Sequence, residues 1–216
     1  MAPSQLFVAC LIFTAAMPAA AAAGELWLAA GTGFDPGGGG VETWQAATSA
    51  PTSGLDAAGP RFTLFLSQTG KDDSARIEGG WSVAAPGLTG EILGGLEARQ
   101  QDQRTRLSPV ITTALETAGS RGGIAALAML RPAFGEVWLE ARPWLDLGNC
   151  WRLGVLAAGS PGPEEAGFRA GVFSGGYRMV LPVIRELFLG GEVGLAANRR
   201  SRGLSPFAGL NLGFHL

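Results

Sequence analysis

The sequence holds one histidine, His215. A Ser–His or Cys–His mechanism would need its imidazole as the base. His215 lies beside the last residue, on a strand-like run, with Asn211 on the same face. Ser201 and Ser205 fall at the far end of that run, about 30 Å away in an extended chain, so no nucleophile is in reach. The only cysteines are Cys10 and Cys150, which with one histidine do not make a zinc site. Paired carboxylates are what a polysaccharide hydrolase needs. Glu91/Glu97 and Glu136/Glu140 offer them, but arginines share their strands and charge pairing is the plainer role. Gly37 to Gly40 has neither a Lys-Ser/Thr nor a helix after it, so it is a flexible loop rather than a phosphate cradle. These residues imply no catalytic constellation, no metal and no cofactor.

The remaining charges become informative once the elements that carry them are drawn. Glycine is abundant, 34 of 216 residues. Interior glycine costs a helix about 1 kcal/mol relative to alanine, so a helical protein is disfavoured. Charged residues make up 16% and the net charge is −2, which leaves no basic footprint for nucleic acid. Residues 1–23 lack charged side chains. They run from an apolar stretch, Leu6 to Ala16, through Pro18 to an alanine cluster ending at Ala23. That pattern predicts a signal peptide over 1–23, cleaved near Ala22 or Ala23, and a single domain over 24–216. No later stretch offers the run of about 18 apolar residues that a membrane helix requires.

The rest divides into strand-like runs of roughly ten residues, the length a tilted strand needs to cross a bilayer. They are placed at 24–33, 41–50, 60–68, 74–84, 88–98, 107–117, 122–131, 135–145, 150–158, 167–180, 186–197 and 204–216. About twelve strands result, with ten also compatible. Apolar and polar residues alternate within them, as the two-residue side-chain period of a strand demands. Leu210, Leu212 and Phe214 oppose Gly209, Asn211 and Gly213; Val137 and Leu139 oppose Glu136, Trp138 and Glu140. The expected fold is an all-β, antiparallel, up-and-down transmembrane β-barrel.

Each strand keeps its charges on one face, and in a barrel that face is the lumen. Candidate lumenal residues are Glu91, Glu97, Glu136, Glu140, Arg142, Arg152, Arg169 and Glu192, with Arg99 nearby. The connections expected outside are polar, among them Gly70 to Asp73, Gln100 to Arg106 and a basic loop with Arg199, Arg200 and Arg202. Those on the periplasmic side are expected to be short. The tryptophans, mostly near strand ends, suit an interfacial girdle, though core packing fits Trp138 equally well.

The segment Asn149 to Met179 carries a resemblance. It contains Gly162-Pro163-Glu164, then Phe168-Arg169-Ala170-Gly171-Val172-Phe173, then Ser174-Gly175-Gly176-Tyr177-Arg178. Gly94-Gly95-Leu96-Glu97-Ala98 upstream belongs to the same pattern. Together these resemble the BcsS family of cellulose-biosynthesis-associated proteins. The resemblance implies a non-enzymatic barrel of the cell outer membrane. Its partners would be outer-membrane lipid, cellulose or another exopolysaccharide, and the cellulose synthase and export machinery. It carries over no catalytic residue. Two other classes fit parts of the pattern: an outer-membrane lipid-modifying enzyme, and a soluble periplasmic β-sandwich or lipocalin-like binder.

Overall fold

Alternating strands of this kind have one apolar and one polar face, and closing the sheet on itself separates the two. The computed structural model describes residues 25–35, 40–50, 57–69, 72–101, 104–148, 151–161, 167–176, 186–198 and 203–215. Its strands are β1 (Glu25–Asp35), β2 (Gly40–Ala50), β3 (Gly59–Gln68), β4 (Asp72–Ala85), β5 (Leu88–Gln101) and β6 (Arg104–Gly119). They continue with β7 (Gly122–Arg131), β8 (Glu136–Gly148), β9 (Trp151–Ser160), β10 (Gly167–Gly175), β11 (Glu186–Asn198) and β12 (Leu204–His215). Every strand pairs antiparallel with its sequence neighbours, and β1 pairs with β12, so the sheet is a closed barrel of twelve strands. A 3-10 turn, Pro132–Phe134, joins β7 to β8. No helix among the described residues is long and apolar enough to cross a membrane, which leaves crossing by strands untouched.

The registers carry one parity around the barrel, apart from a shift between Asp146 and Gly148 where β8 pairs with β9. Trp44 faces Gly31, Phe65 faces Arg76, Glu78 faces Gly95, Met129 faces Trp138, Phe173 faces Glu192 and Glu192 faces Gly209. All of these point inward. The opposite parity presents Ile77, Ile92, Leu107, Leu139, Val155, Val193 and Leu210, each about half exposed or more. Among the described residues, the charges of the strands keep to inward positions, with Asp73 at the end of β4 the exception. An outward apolar surface over an ion-paired interior inverts the usual soluble arrangement and is the pattern of a transmembrane barrel.

One rim holds the start of β1 and the end of β12; it is called the terminal rim here and the opposite one the far rim. Strands β4, β5 and β6 rise further toward the far rim than their apolar runs suggested. Asp72 pairs with Gln101, Arg99 with Arg106 and Gln101 with Arg104. Polar residues expected in long outer loops are therefore strand residues. Backbone pairing is indifferent to side-chain polarity once the strand has passed its apolar zone. At the terminal rim, β4 and β5 join through Pro86-Gly87. Gly87 has φ of 72°, the conformation that the second central position of a type II turn requires. The basic loop Arg199, Arg200 and Arg202, and also Cys150, lie outside the described residues.

The tryptophans do not form a girdle. Trp81 and Trp151 face outward near the terminal rim, but Trp27, Trp44, Trp138 and Trp144 face the lumen. Their parity decides this: Trp138 and Trp144 alternate with outward Leu139 and Leu145. The interior makes room with glycine. A β-carbon on Gly31 would strike the Trp44 indole, and one on Gly213 would strike Trp27.

Candidate lumenal site

Placing arginines and glutamates on inward positions forces them to pair, because an isolated buried charge is costly. The first network sits toward the far rim. Arg76 lies beside Glu78, Nε to Oε2 2.8 Å, and Arg131 beside Glu97, also Nε to Oε2 at 2.8 Å. Both are ion pairs by distance whose angle is too bent for a hydrogen bond. Glu97, 2% exposed, also meets Arg99 at 3.3 Å and Arg76 at 3.9 Å. Arg99 grips Glu136 with both terminal nitrogens, at 2.5 and 2.9 Å, and Arg131 Nη1 adds a third hydrogen bond at 3.0 Å. The fork geometry of guanidinium suits this two-point grip. Thr112 Oγ1 donates to Glu78 Oε1, and Arg76 Nη1 donates to the Met129 sulfur at 2.8 Å.

The turn between β7 and β8 closes over this network. Phe134 is buried, with the Arg99 guanidinium 4.4 Å and that of Arg106 5.5 Å from its ring centre. Arg106 donates to the Ala133 carbonyl, and the Ala133 amide donates to Ser108 Oγ.

The second network lies at mid-height. Glu140 and Glu192, from β8 and β11, share Arg142 and Arg169. Arg142 Nε donates to Glu140 and its Nη1 reaches Glu192 at 3.1 Å. Arg169 approaches Glu140 at 3.5 Å and Glu192 at 3.7 Å. Aromatic faces back the cations: Phe173 under Arg142, and Trp138 and Phe207 under Arg169. Phe207 packs with Leu156, Ala158 and Ala196 in a small apolar cluster. Nearer the terminal rim, Arg152 donates to Glu116 at 3.0 Å and stacks over Trp144 at 4.1 Å.

These contacts cross the interior. Glu136 on β8 is held from β5, Glu192 on β11 from β8, and Glu116 on β6 from β9. Among the described residues, two cavities lie on the terminal side. One, about 360 Å³, is lined by Arg61, Ser82, Thr89, Glu91, Glu116, Glu140 and Arg142. The other, about 170 Å³, lies beside it and shares Ala125 and Arg142. Arg61 is buried and donates to the carbonyls of Ala57 and Pro60.

Of the residues singled out in the sequence, Glu97, Glu136, Glu140, Arg142, Arg169 and Glu192 enter the two networks. Arg152 pairs with Glu116, a partner the sequence did not suggest. Glu91 makes no ion pair or hydrogen bond among the described residues and lines the larger cavity. Arg61, Arg76, Glu78 and Arg131 were missed. The signal for Arg76 and Glu78 was present, since they alternate with Ala75 and Ile77. Glu116 and Arg131 stand near strand ends, where alternation is weak evidence. His215 pairs in register with Trp27 and Glu186 at the terminal rim, and Ser205 stands at the other end of β12. Among the described residues no group of three His, Cys, Asp or Glu side chains is placed to hold a metal.

Thr112→Val tests the first network. Removing the hydroxyl takes one hydrogen bond from the buried Glu78 carboxylate, which should cost about 1–3 kcal/mol. The urea midpoint of the detergent-solubilised barrel should fall with no change in slope.

No protein-family model matches the chain, and no curated protein matches it by sequence. Solved structures match by fold. The KdgM porin in complex with disordered oligogalacturonate is similar at a TM-score of 0.54 and 6% identity, covering 87% of this chain and 98% of that one. The KdgM porin alone gives 0.53 and 7% over the same shares. At these identities the likeness establishes the fold, a closed antiparallel barrel of twelve strands.

Proposed function

We propose that the chain is a non-enzymatic barrel of the outer membrane, accessory to the production or export of a neutral bacterial exopolysaccharide such as cellulose. The observation that carries this reading is the interior. At inward strand positions with described side chains, nine arginines, Arg61, Arg76, Arg99, Arg104, Arg106, Arg131, Arg142, Arg152 and Arg169, stand against ten acids, Glu42, Asp72, Glu78, Glu91, Glu97, Glu116, Glu136, Glu140, Asp146 and Glu192, so the charges nearly balance with a slight acidic excess. A lumen that is polar, aromatic-backed and balanced in charge has no electrostatic preference for an acidic polymer and suits a neutral glycan. The outward belt of Ile, Leu, Val and Phe suits lipid as solvent. A barrel of this fold has been solved with a sugar polymer, oligogalacturonate, and the resemblance to the cellulose-associated BcsS family points to glycan as well. Ion pairs crossing the lumen at two levels favour an accessory that contacts the polymer and its export machinery over an open conduit.

Deletion and complementation test this. Cells without the protein should deposit less cellulose on a dye-binding assay, and complementation should restore it, with the protein in the outer-membrane fraction. Genes for cellulose synthase subunits are expected beside its own. Unchanged cellulose on deletion, or a genome without a cellulose synthase, would overturn the cellulose role. Recovery in the soluble periplasm would overturn the membrane placement.

A further inference from the structure

We propose that the outward face of β2 is covered by the same face of a second copy of this chain rather than by lipid. The observation is a side-chain amide halfway up the apolar belt. Gln45 stands at the middle of β2 on the outward parity, paired with Ala30 of β1 and Leu66 of β3. It is exposed, and its amide meets no hydrogen-bond partner among the described residues. The other outward amides among those residues, Gln68 and Gln100, stand near the far-rim ends of β3 and β5. Thr43 and Ser49 continue the polar stripe along β2. A hydroxyl can return to a neighbouring backbone carbonyl, as Thr32 does to that of Glu42 at 3.2 Å. The exposed amide makes no such bond, and hydrocarbon supplies nothing in place of water. Polar side chains at such depths serve as contacts between membrane-spanning segments.

The occupant follows from symmetry. Two copies inserted in one membrane share one orientation, so a closed two-fold axis runs along the membrane normal. Each residue near that axis meets its own counterpart at the same depth. An amide is donor and acceptor together, so Gln45 answers Gln45. The outward residues of β1, β2 and β3 carry no charge, so pairing this face with itself brings no like-charge contact. Ala30 and Ala47 beside Gln45 are small and let the two walls approach. The wall is braced from within: Trp44 stacks on Phe65 with ring centres 6.3 Å apart, and the Thr48 and Thr63 hydroxyls hydrogen-bond at 3.2 Å.

This inference rests on the membrane placement above and not on the glycan reading. The test uses the full chain with Cys10 and Cys150 replaced by serine, in outer membranes and in phosphatidylcholine vesicles. Ala47→Cys, beside the axis, should give a disulfide-linked dimer on mild oxidation. Leu139→Cys, outward on β8 across the barrel from β2, should not. Gln45→Leu should weaken the dimer by roughly 3- to 15-fold, the loss of a polar contact between membrane-spanning segments. The readout is energy transfer between labelled copies across a lipid-to-protein dilution series. Heat-dependent gel mobility should confirm that each variant is folded. Equal cross-linking at both positions, a wild type that stays monomeric throughout the series, or a Gln45→Leu variant that dimerises as its parent does would overturn the proposal. So would an adduct of Ala47→Cys with a different protein in outer membranes in place of the dimer. Recovery in the soluble periplasm removes the membrane reading and this inference together. A monomer in the outer-membrane fraction removes this inference alone.

Discussion

Replacing Glu97 by alanine should lower the stability of the folded barrel by about 3–5 kcal/mol, the range for removing one partner of a buried ion pair. Glu97 is 2% exposed and stands among Arg76, Arg99 and Arg131. Without it, Arg131 keeps Glu136 and Arg99 keeps Glu136, so one carboxylate serves two guanidiniums. The penalty comes from the stranded cations more than from the lost attraction. Two companions separate these contributions. Glu97→Gln keeps the shape and hydrogen-bond acceptor and should cost less than the alanine. Glu97→Ala combined with Arg131→Met should recover part of the loss, because it withdraws the surplus charge. The measurement is the urea midpoint followed by heat-modifiable gel mobility. An alanine variant as stable as the wild type would show that the far-rim network is not a structural keystone.

The second large effect concerns the other face. Val193 lies mid-strand on β11, next to Val172 on β10 and Ala208 on β12, and is 54% exposed. Val193→Arg should cost about 2–4 kcal/mol if that surface meets the bilayer near its midplane. The same substitution on a water-facing strand should stay within about 0.5 kcal/mol. Reconstitution into lipid vesicles, with folding yield and unfolding midpoint compared with the wild type, distinguishes the two. A variant that folds in lipid as well as its parent would contradict a lipid-facing belt at this position.

The architecture was legible because its signal is local. Whether Leu210 and Asn211 face opposite ways is decided by adjacent residues, and the same alternation repeated along the chain yielded the strands to within a few residues. The lumenal face was legible for the same reason, through Glu136, Glu140 and Arg142 on β8 and Glu91 and Glu97 on β5. The partners were not. Which glutamate meets which arginine depends on strand tilt and stagger, and these bring β5 to β8 and β9 to β6 across the interior. Nothing near Arg152 in sequence names Glu116. The tryptophans show a different failure: Trp144 shares its parity with Arg142, yet a position near a strand end suggested an interface. Parity was the better guide, because a side chain's face is fixed by the backbone while its height is only approximate.

The pairing of β1 with β12 has a consequence for how such a chain is made. The two strands are among the most distant in sequence, yet Trp27 lies beside His215 and Phe34 beside Ala208. Until β12 arrives, a partly assembled sheet has two free edges, each a row of unpaired backbone groups ready to add a foreign strand. If the outward belt meets lipid, hydrocarbon cannot satisfy those groups, and an unclosed sheet is not at rest there. Joining the ends also carries the loop-closure entropy of nearly the whole chain, a slow step by its topology. Closure is therefore tied to the last strand delivered. Copies cut short before Leu204 are expected to collect as aggregates or protease substrates rather than as smaller barrels.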